Sequence, residues 1–354
     1  MGQEFVEVGR RQFLKSGLLT AGAAALGSQS LPAADPQRSP TGSEPRLETG
    51  IPTRPFGKTG HTLPVLGMGG SAMVQIFISA YGVKLLPMEG RVAMVRHAYD
   101  QGIRYFDTAR VYGESETIMG QGLKGIRDKV FVATKVAVAA ADDVRKSVET
   151  SLEKLGMSSV DLVQIHSPVI ERVGFAGAMK VHAELVKMRD QKMFRFIGLT
   201  THVAFETVHQ MIATGGFDQV LLAYGYFRKG MDTLLSHRNL EFRDMCLAKA
   251  HDLKTAIVAM KVMGASILGH NAKNLVPDFD TAALDKLPGA AIRWVLQDER
   301  ISMLNIGVSM PSDIDRNTAM LQGNLKFTNE DRMLLADFSR RAYEADAVKT
   351  MRIV

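Results

Sequence analysis

The stretch VFVATKVAVAAADDVRKSVETSLEKLGMSSVDLVQIHSP, residues 130–168, decides the fold. Its two ends, VFVATKV (130–136) and VDLVQIHSP (160–168), are nearly continuous in apolar residues rather than alternating. That is the pattern of parallel strands covered on both faces. Between them, ADDVRKSVETSLEKLG (141–156) puts Val144, Val148, Leu152 and Leu155 on one face and charges on the other, then stops at Gly156. The same pairing recurs along the chain. LPVLGMGG (63–70), IRYFDTA (103–109), FRFIGLTTH (194–202), QVLLAYGY (219–226), TAIVAMKVMG (255–264) and SMLNIGVS (302–309) read as strands. Amphipathic stretches run through 91–101, 203–215, 242–252 and 289–297. Strand–helix alternation eight times over roughly 270 residues predicts a closed (β/α)8 TIM barrel in a single domain. A doubly wound sheet would open on a glycine-rich turn, and GMGGSAM (67–73) lacks the third glycine at that spacing.

Composition agrees with a large folded core: 46% of the 354 residues are hydrophobic and 23% charged. The formal charge of +6 is scattered, without a basic helix or RNA-binding signature, so nucleic acid is not an expected partner. A single cysteine, Cys246, excludes an internal disulfide and a zinc site built on cysteine pairs. His182, His202, His209 and His251 show neither HxH nor HExxH spacing, and no metal site is expected.

The N-terminal GRRQFLKSGLLTAGAAALGSQSLPAADP sets Arg10 and Arg11 before a short apolar stretch and small residues up to Ala33 and Ala34. It resembles a twin-arginine export signal. The apolar part is about half of the roughly 20 residues that a membrane span needs. The expected organisation is a signal over 1–34, a linker over 35–50, a barrel over 51–340 and a tail over 341–354. A periplasmic or secreted protein that meets the twin-arginine machinery, without a stable membrane span after processing, follows from it.

Catalytic side chains of a (β/α)8 barrel sit at the C-terminal ends of its strands. Those ends carry Asp107, Lys135 and His166, with Tyr112 in the loop after Asp107. A lysine ammonium lowers the pKa of a nearby phenol, and a carboxylate holds that ammonium charged in a desolvated mouth. His166 would orient a carbonyl oxygen toward Tyr112. Such a set donates a proton to oxygen as hydride reaches carbon.

At this point the chain resembles the aldo-keto reductase family. RPFGKTG (54–60) resembles its N-terminal hairpin, which closes the barrel bottom, and FDTARVYGESE its Asp–Tyr segment. VFVATKV resembles its Lys strand, SLEKLGMSSVDLVQIHSP (151–168) its helix-to-histidine segment, and IGVSMPSDIDRN (306–317) its cofactor loop and helix. The resemblance spans about 52–335. It implies reduction of aldehydes or ketones, or the reverse, with Tyr112 as general acid, Lys135 as its partner, Asp107 as charge partner and His166 as orienting group. It also implies a nicotinamide cofactor, NADP(H) by default with NAD(H) close behind.

Cofactor positions depart from the family pattern. Where a Ser-Asn pair is usual, this chain has Thr200 and Thr201, and AMKVMG offers Met260, Lys261 and Met263. The cations that hold a 2′-phosphate align with Gly307 and Asp313, leaving Arg316 nearby, and Asp313 would repel a phosphate. Gly307, Ser309 and Asn317 fit the pattern, with backbone amides at the helix start available to phosphate oxygens. The loop SAMVQIFISAYGVKLLPMEG (71–90) is expected to wall a substrate pocket through Met73, Phe77 and Tyr81, favouring uncharged or aromatic carbonyl compounds. Tyr224, Tyr226 and Phe227 are expected in a lid. A second reading is a barrel that binds nucleotide without turnover, as sensor or scaffold.

Overall fold

The computed structural model describes residues 47–74 and 84–354. The twin-arginine segment, most of the linker, and Phe77 and Tyr81 lie outside the described residues. Two short strands, β1 (Thr53–Pro55) and β2 (Thr62–Pro64), pair antiparallel. The barrel strands follow: β3 (Leu66–Gly69), β4 (Tyr105–Asp107), β5 (Phe131–Val136), β6 (Val160–Ile165), β7 (Phe194–Thr201), β8 (Gln219–Ala223), β9 (Ala256–Met260) and β10 (Met303–Gly307). They close in sequence order, with β10 pairing β3, and every neighbour is parallel.

Helices return the chain over the outside: α1 (Met88–Asp100), α2 (Ser115–Gly122), α3 (Val144–Leu155), α4 (Ser167–Asp190), α5 (Phe205–Ala213) and α6 (His237–Asp252). After β9 come α7 (Ala272–Leu275), α8 (Thr281–Leu284) and α9 (Leu287–Leu296). After β10 come α10 (Pro311–Gln322), α11 (Asn329–Glu344) and α12 (Asp346–Lys349). Helix α3 buries Val144, Val148 and Leu155, with Leu152 half-buried against the core, and ends at Gly156 in the left-handed region (φ 61°). Glycine adopts that conformation without a Cβ clash, which makes it a helix stop. Helix α4 is interrupted at Gly174 (φ 62°), so its 24 residues form two helical pieces.

The core has an outer and an inner part. Between strands and helices lies the large apolar layer, including Cys246, whose thiol is pushed up to about 12 by burial. Inside the lower barrel Phe56 packs with Tyr105 and Phe131, ring centroids 5.6 and 5.2 Å away. Phe56 comes from the β1–β2 hairpin, which is held to the bottom by Lys58 N–H donating to the Lys254 carbonyl at 2.6 Å. The hairpin therefore plugs one end of the barrel, and the other end is left for chemistry.

Candidate active site

The strands bring all four expected residues to one mouth. Asp107 ends β4, Lys135 is the fifth residue of β5, and His166 follows β6 as the N-cap of α4. Lys135 Nζ donates to Asp107 Oδ2 at 2.5 Å and to the Thr108 carbonyl at 2.8 Å. Both side chains are almost fully buried. Tyr112 Oη lies 3.4 Å from His166 Nε2, and Lys135 Nζ lies 4.9 Å from the Tyr112 ring centre.

Two residues not picked from the sequence complete the floor. Gln164 Nε2 donates to Asp107 Oδ1 at 2.7 Å, and Asn305 Nδ2 donates to Asp107 Oδ2 at 3.1 Å. Gln164 is in register with Lys135 across β5 and β6. A buried carboxylate with three charge-assisted or amide donors is far better accommodated than one held by lysine alone.

The loop that carries Tyr112 is fixed by its own polar residues. Thr108 Oγ1 donates to Ser115 Oγ at 2.8 Å, and Ser115 donates to the Gly70 carbonyl at 3.1 Å. Buried Glu116 accepts from Thr134 Oγ1 at 2.8 Å and from Arg110 at 2.5 Å. Glu114 pairs with Arg91 of α1 at 2.9 Å, and Arg91 also donates to the carbonyl of buried Met73. The carboxylates of FDTARVYGESE beyond Asp107 are thus anchors of the loop.

Electrostatics modify one expectation. Desolvation raises the Tyr112 phenol above its ordinary value; Lys135 pulls it down, as expected, and Asp107 pushes it up, and the net direction is upward. Burial works against the Lys135 charge, but Asp107 and Tyr112 outweigh it and raise the ammonium. Burial, with Lys135 second, pushes His166 down to about 3. The site therefore holds a protonated phenol, a permanent ammonium and a neutral imidazole across the physiological range.

The candidate cofactor residues flank this centre. Thr200 Oγ1 accepts from Ser167 N–H at 2.8 Å and Thr201 Oγ1 from Ala204 N–H at 2.9 Å. Met260 ends β9, and Lys261 and Met263 follow it. Gly307 ends β10, and Asn317 is buried on α10, whereas Arg316 is exposed. The helix-start amides expected to face phosphate are instead engaged within the chain: Ser309 and Met310 N–H donate to Asp313 Oδ2 at 3.0 and 3.1 Å. His270 Nε2 lies 2.9 Å from Asp313 Oδ1. The expected lid residues point elsewhere. Tyr224 donates to Asp298 at 2.9 Å and stacks on Trp294, Tyr226 packs edge-on against the same indole, and Phe227 stacks on Tyr343, so all three belong to the outer packing layer. A groove lined by Lys124, Arg127, Lys154 and Arg195 sits at the opposite end of the barrel, away from the four residues.

A closed parallel barrel with its polar constellation at the strand C-termini defines a (β/α)8-barrel enzyme. The chain belongs to the aldo/keto reductase family, whose model matches residues 77–282, and is an oxidoreductase of that family. It is 27% identical over 296 residues to L-galactose dehydrogenase from Arabidopsis thaliana, covering 77% of this chain and 88% of that protein. Aldo-keto reductase str7 from Strobilurus tenacellus is 29% identical over 160 residues, 42% of this chain and 45% of that one. Among solved structures, an aldo-keto reductase from Bacillus halodurans has the same fold, with a TM-score of 0.62 and 16% identity over 84% of this chain and 99% of that chain.

Proposed function

We propose that Tyr112 is the proton donor and acceptor in the interconversion of an aldehyde or ketone with its alcohol. The carrying observation is the 3.4 Å approach of the Tyr112 hydroxyl to His166 beside the buried Lys135–Asp107 pair. A nicotinamide dinucleotide, when bound, supplies or accepts the hydride. Neutral His166 hydrogen-bonds the carbonyl oxygen and directs it to the phenol. As the proton leaves Tyr112, Lys135 stabilises the developing phenolate, which offsets the desolvation that keeps the phenol protonated at rest. Asp107, held by Gln164 and Asn305, keeps Lys135 charged and in place.

The residues fit the nicotinamide end of such a cofactor. The Thr200 and Thr201 oxygens accept from backbone amides, which leaves each hydroxyl proton to donate to a carboxamide. Met260 and Met263 offer apolar surface. At the adenosine end, the positions that the family uses for a 2′-phosphate carry Gly307 and the carboxylate of Asp313. We infer a preference for NAD(H) over the NADP(H) that the family default suggests. The similarity to L-galactose dehydrogenase makes a hexose a natural first alcohol to test.

Export in folded form through the twin-arginine route, to the periplasm or the medium, is part of the same reading. It pairs with tight nucleotide retention, because a compartment outside the cytoplasm supplies no ready pool of reduced nucleotide. Tyr112→Phe should cut kcat by about 10²–10⁴-fold. Nucleotide affinity, followed by fluorescence titration, should stay within about twofold of the parent. Equal, negligible turnover by both proteins in the presence of bound nucleotide would favour the sensor or scaffold reading.

A further inference from the structure

Beside the Tyr112–His166 pair, the ends of β7 and β9 and the loop after β8 gather three more nitrogen-bearing side chains. His202, directly after β7, is buried, and its Nδ1 has no hydrogen-bond partner. Lys261, directly after β9, sits in the left-handed region (φ 62°) and begins a segment in which Gly264, Ala265 and Ser266 also have positive φ. Lys229, in the loop after β8, is 7% exposed, and its ammonium approaches only the sulfur of Met351, at 3.2 Å, among the described residues.

These three positions are packed into one another. A Cβ on Gly230 would lie 2.6 Å from Val203 Cγ1 and 3.2 Å from the His202 carbonyl, and one on Gly225 would lie 2.5 Å from the Lys261 carbonyl. Glycine at both places lets the β8 loop wedge between the ends of β7 and β9. The chain terminus holds that wedge: Leu234 N–H donates to the Arg352 carbonyl at 2.9 Å and Val354 N–H to the Leu234 carbonyl at 3.0 Å.

A buried ammonium and a half-buried one, neither with a hydrogen-bonded carboxylate, cost stability, as does a lysine held at positive φ. The carboxylate that both lysines feel, Asp232, is exposed. Burial, with Lys229 second, pushes Lys261 down to about 8, the direction that an unneutralised cationic pocket imposes. His202 feels Lys261, His166 and Lys135, which links Lys261 and the reacting centre to the same ring, and Lys229 joins them through its repulsion of Lys261. An arrangement this unfavourable by itself becomes favourable once a negatively charged oxygen group sits in it.

We propose that Lys229 and Lys261, bordered by His202, form an anion subsite at the barrel mouth for a carboxylate or phosphate group of a molecule bound at the reacting centre. The proposal rests on the oxidoreductase reading and deepens it. One source of the anion is an acidic carbonyl substrate, the other the phosphates of the dinucleotide.

Purified protein and its Lys229→Met, Lys261→Met and Lys→Arg variants separate the two. NADH affinity is measured by calorimetry, and kcat/KM by turnover of succinic semialdehyde and of butanal. A carboxylate source is expected to lower the succinic semialdehyde to butanal ratio about tenfold in the Met variants. A phosphate source lowers NADH affinity by a similar factor with that ratio unchanged. In either case Arg restores most of the loss. Met variants with parental circular dichroism in which both quantities stay within about twofold of the parent would overturn the subsite. Should a Met variant not fold, parental NADH affinity and aldehyde ratio that are both flat from about 0.02 to 0.5 M salt would overturn it equally. Absence of turnover of any carbonyl by the parent would sink the oxidoreductase reading alone, because the calorimetric loss of NADH remains measurable.

Discussion

His166 is held neutral far below its ordinary range, and this sets two measurable consequences. First, kcat/KM should show no limb near pH 6.5 from this residue; ring titration followed by NMR should find it unprotonated down to about pH 3. Second, a folded-state pKa below the unfolded value means that the unfolded chain binds the proton more readily between the two. His166 therefore contributes a loss of stability as pH falls from about 6.5 toward 3, and His202, shifted in the same direction, adds to it. His166→Gln should flatten the acid limb of a urea-denaturation series. The Lys135–Asp107 pair argues by charge. Lys135→Met leaves a buried carboxylate with only amide donors, at a cost of about 3–5 kcal/mol, and the double change Asp107→Leu with Lys135→Met should recover much of it. Asp107, Lys135 and His166 were legible in the sequence because a charged or polar group at a strand end interrupts an apolar run, and Tyr112 because it follows Asp107 in the next loop. Gln164 and Asn305 were not, because an amide inside an apolar strand carries no mark of whether it points into the barrel. Nor was the Lys229–His202–Lys261 group, which joins segments far apart in the chain.

Helix α10 teaches the same lesson one level up. From IGVSMPSDIDRN its N-terminus reads as a phosphate-facing set of amides, and Asp313 as a charge that repels phosphate. In the folded protein Asp313 itself occupies those amides and joins the helix to His270 of the loop after β9. The cap was hidden because Met310, not serine or threonine, stands at the N-cap, so the usual three-residue signature is missing. Asp313→Ala should cost about 1 kcal/mol of stability, read from chemical denaturation. It should also shift the NADH to NADPH affinity ratio toward NADPH by about tenfold, as expected for removing roughly 1.4 kcal/mol of like-charge repulsion; an unchanged ratio would place the 2′-hydroxyl away from this residue. The His270–Asp313 contact carries its own pH dependence. The hydrogen bond to Asp313 raises His270. Its stabilisation is full below the unfolded value of about 6.5 and is lost as pH rises through the higher folded value, so mild alkali loosens the loop–helix junction.

The barrel as a whole divides its two ends between stability and chemistry, a division that the alternation of continuous apolar runs with amphipathic stretches already implied. The barrel strands and helices α1, α3, α5, α6 and α9 followed from hydrophobic periodicity, because a parallel strand buried on both faces has almost no freedom in composition; α2, α4 and α11 did not. At the bottom, Phe56 of the hairpin fills the barrel between Tyr105 and Phe131, with no polar group of the reacting set in that cluster. At the top, the phenol, ammonium and imidazole depend on hydrogen bonds that run within β4, β5, β6 and β10. Truncating the plug should therefore remove stability without disturbing those bonds. Phe56→Ala is expected to cost about 3–5 kcal/mol, lowering Tm by roughly 5–10 °C. At temperatures where the variant stays folded, kcat and the spacing of Tyr112 from His166 should be those of the parent. A kcat that falls in proportion to stability would mean that strain passes along the strands from plug to mouth. The two ends would then be one mechanical unit, in which the hairpin sets the height of Lys135 and Asp107 beneath the phenol.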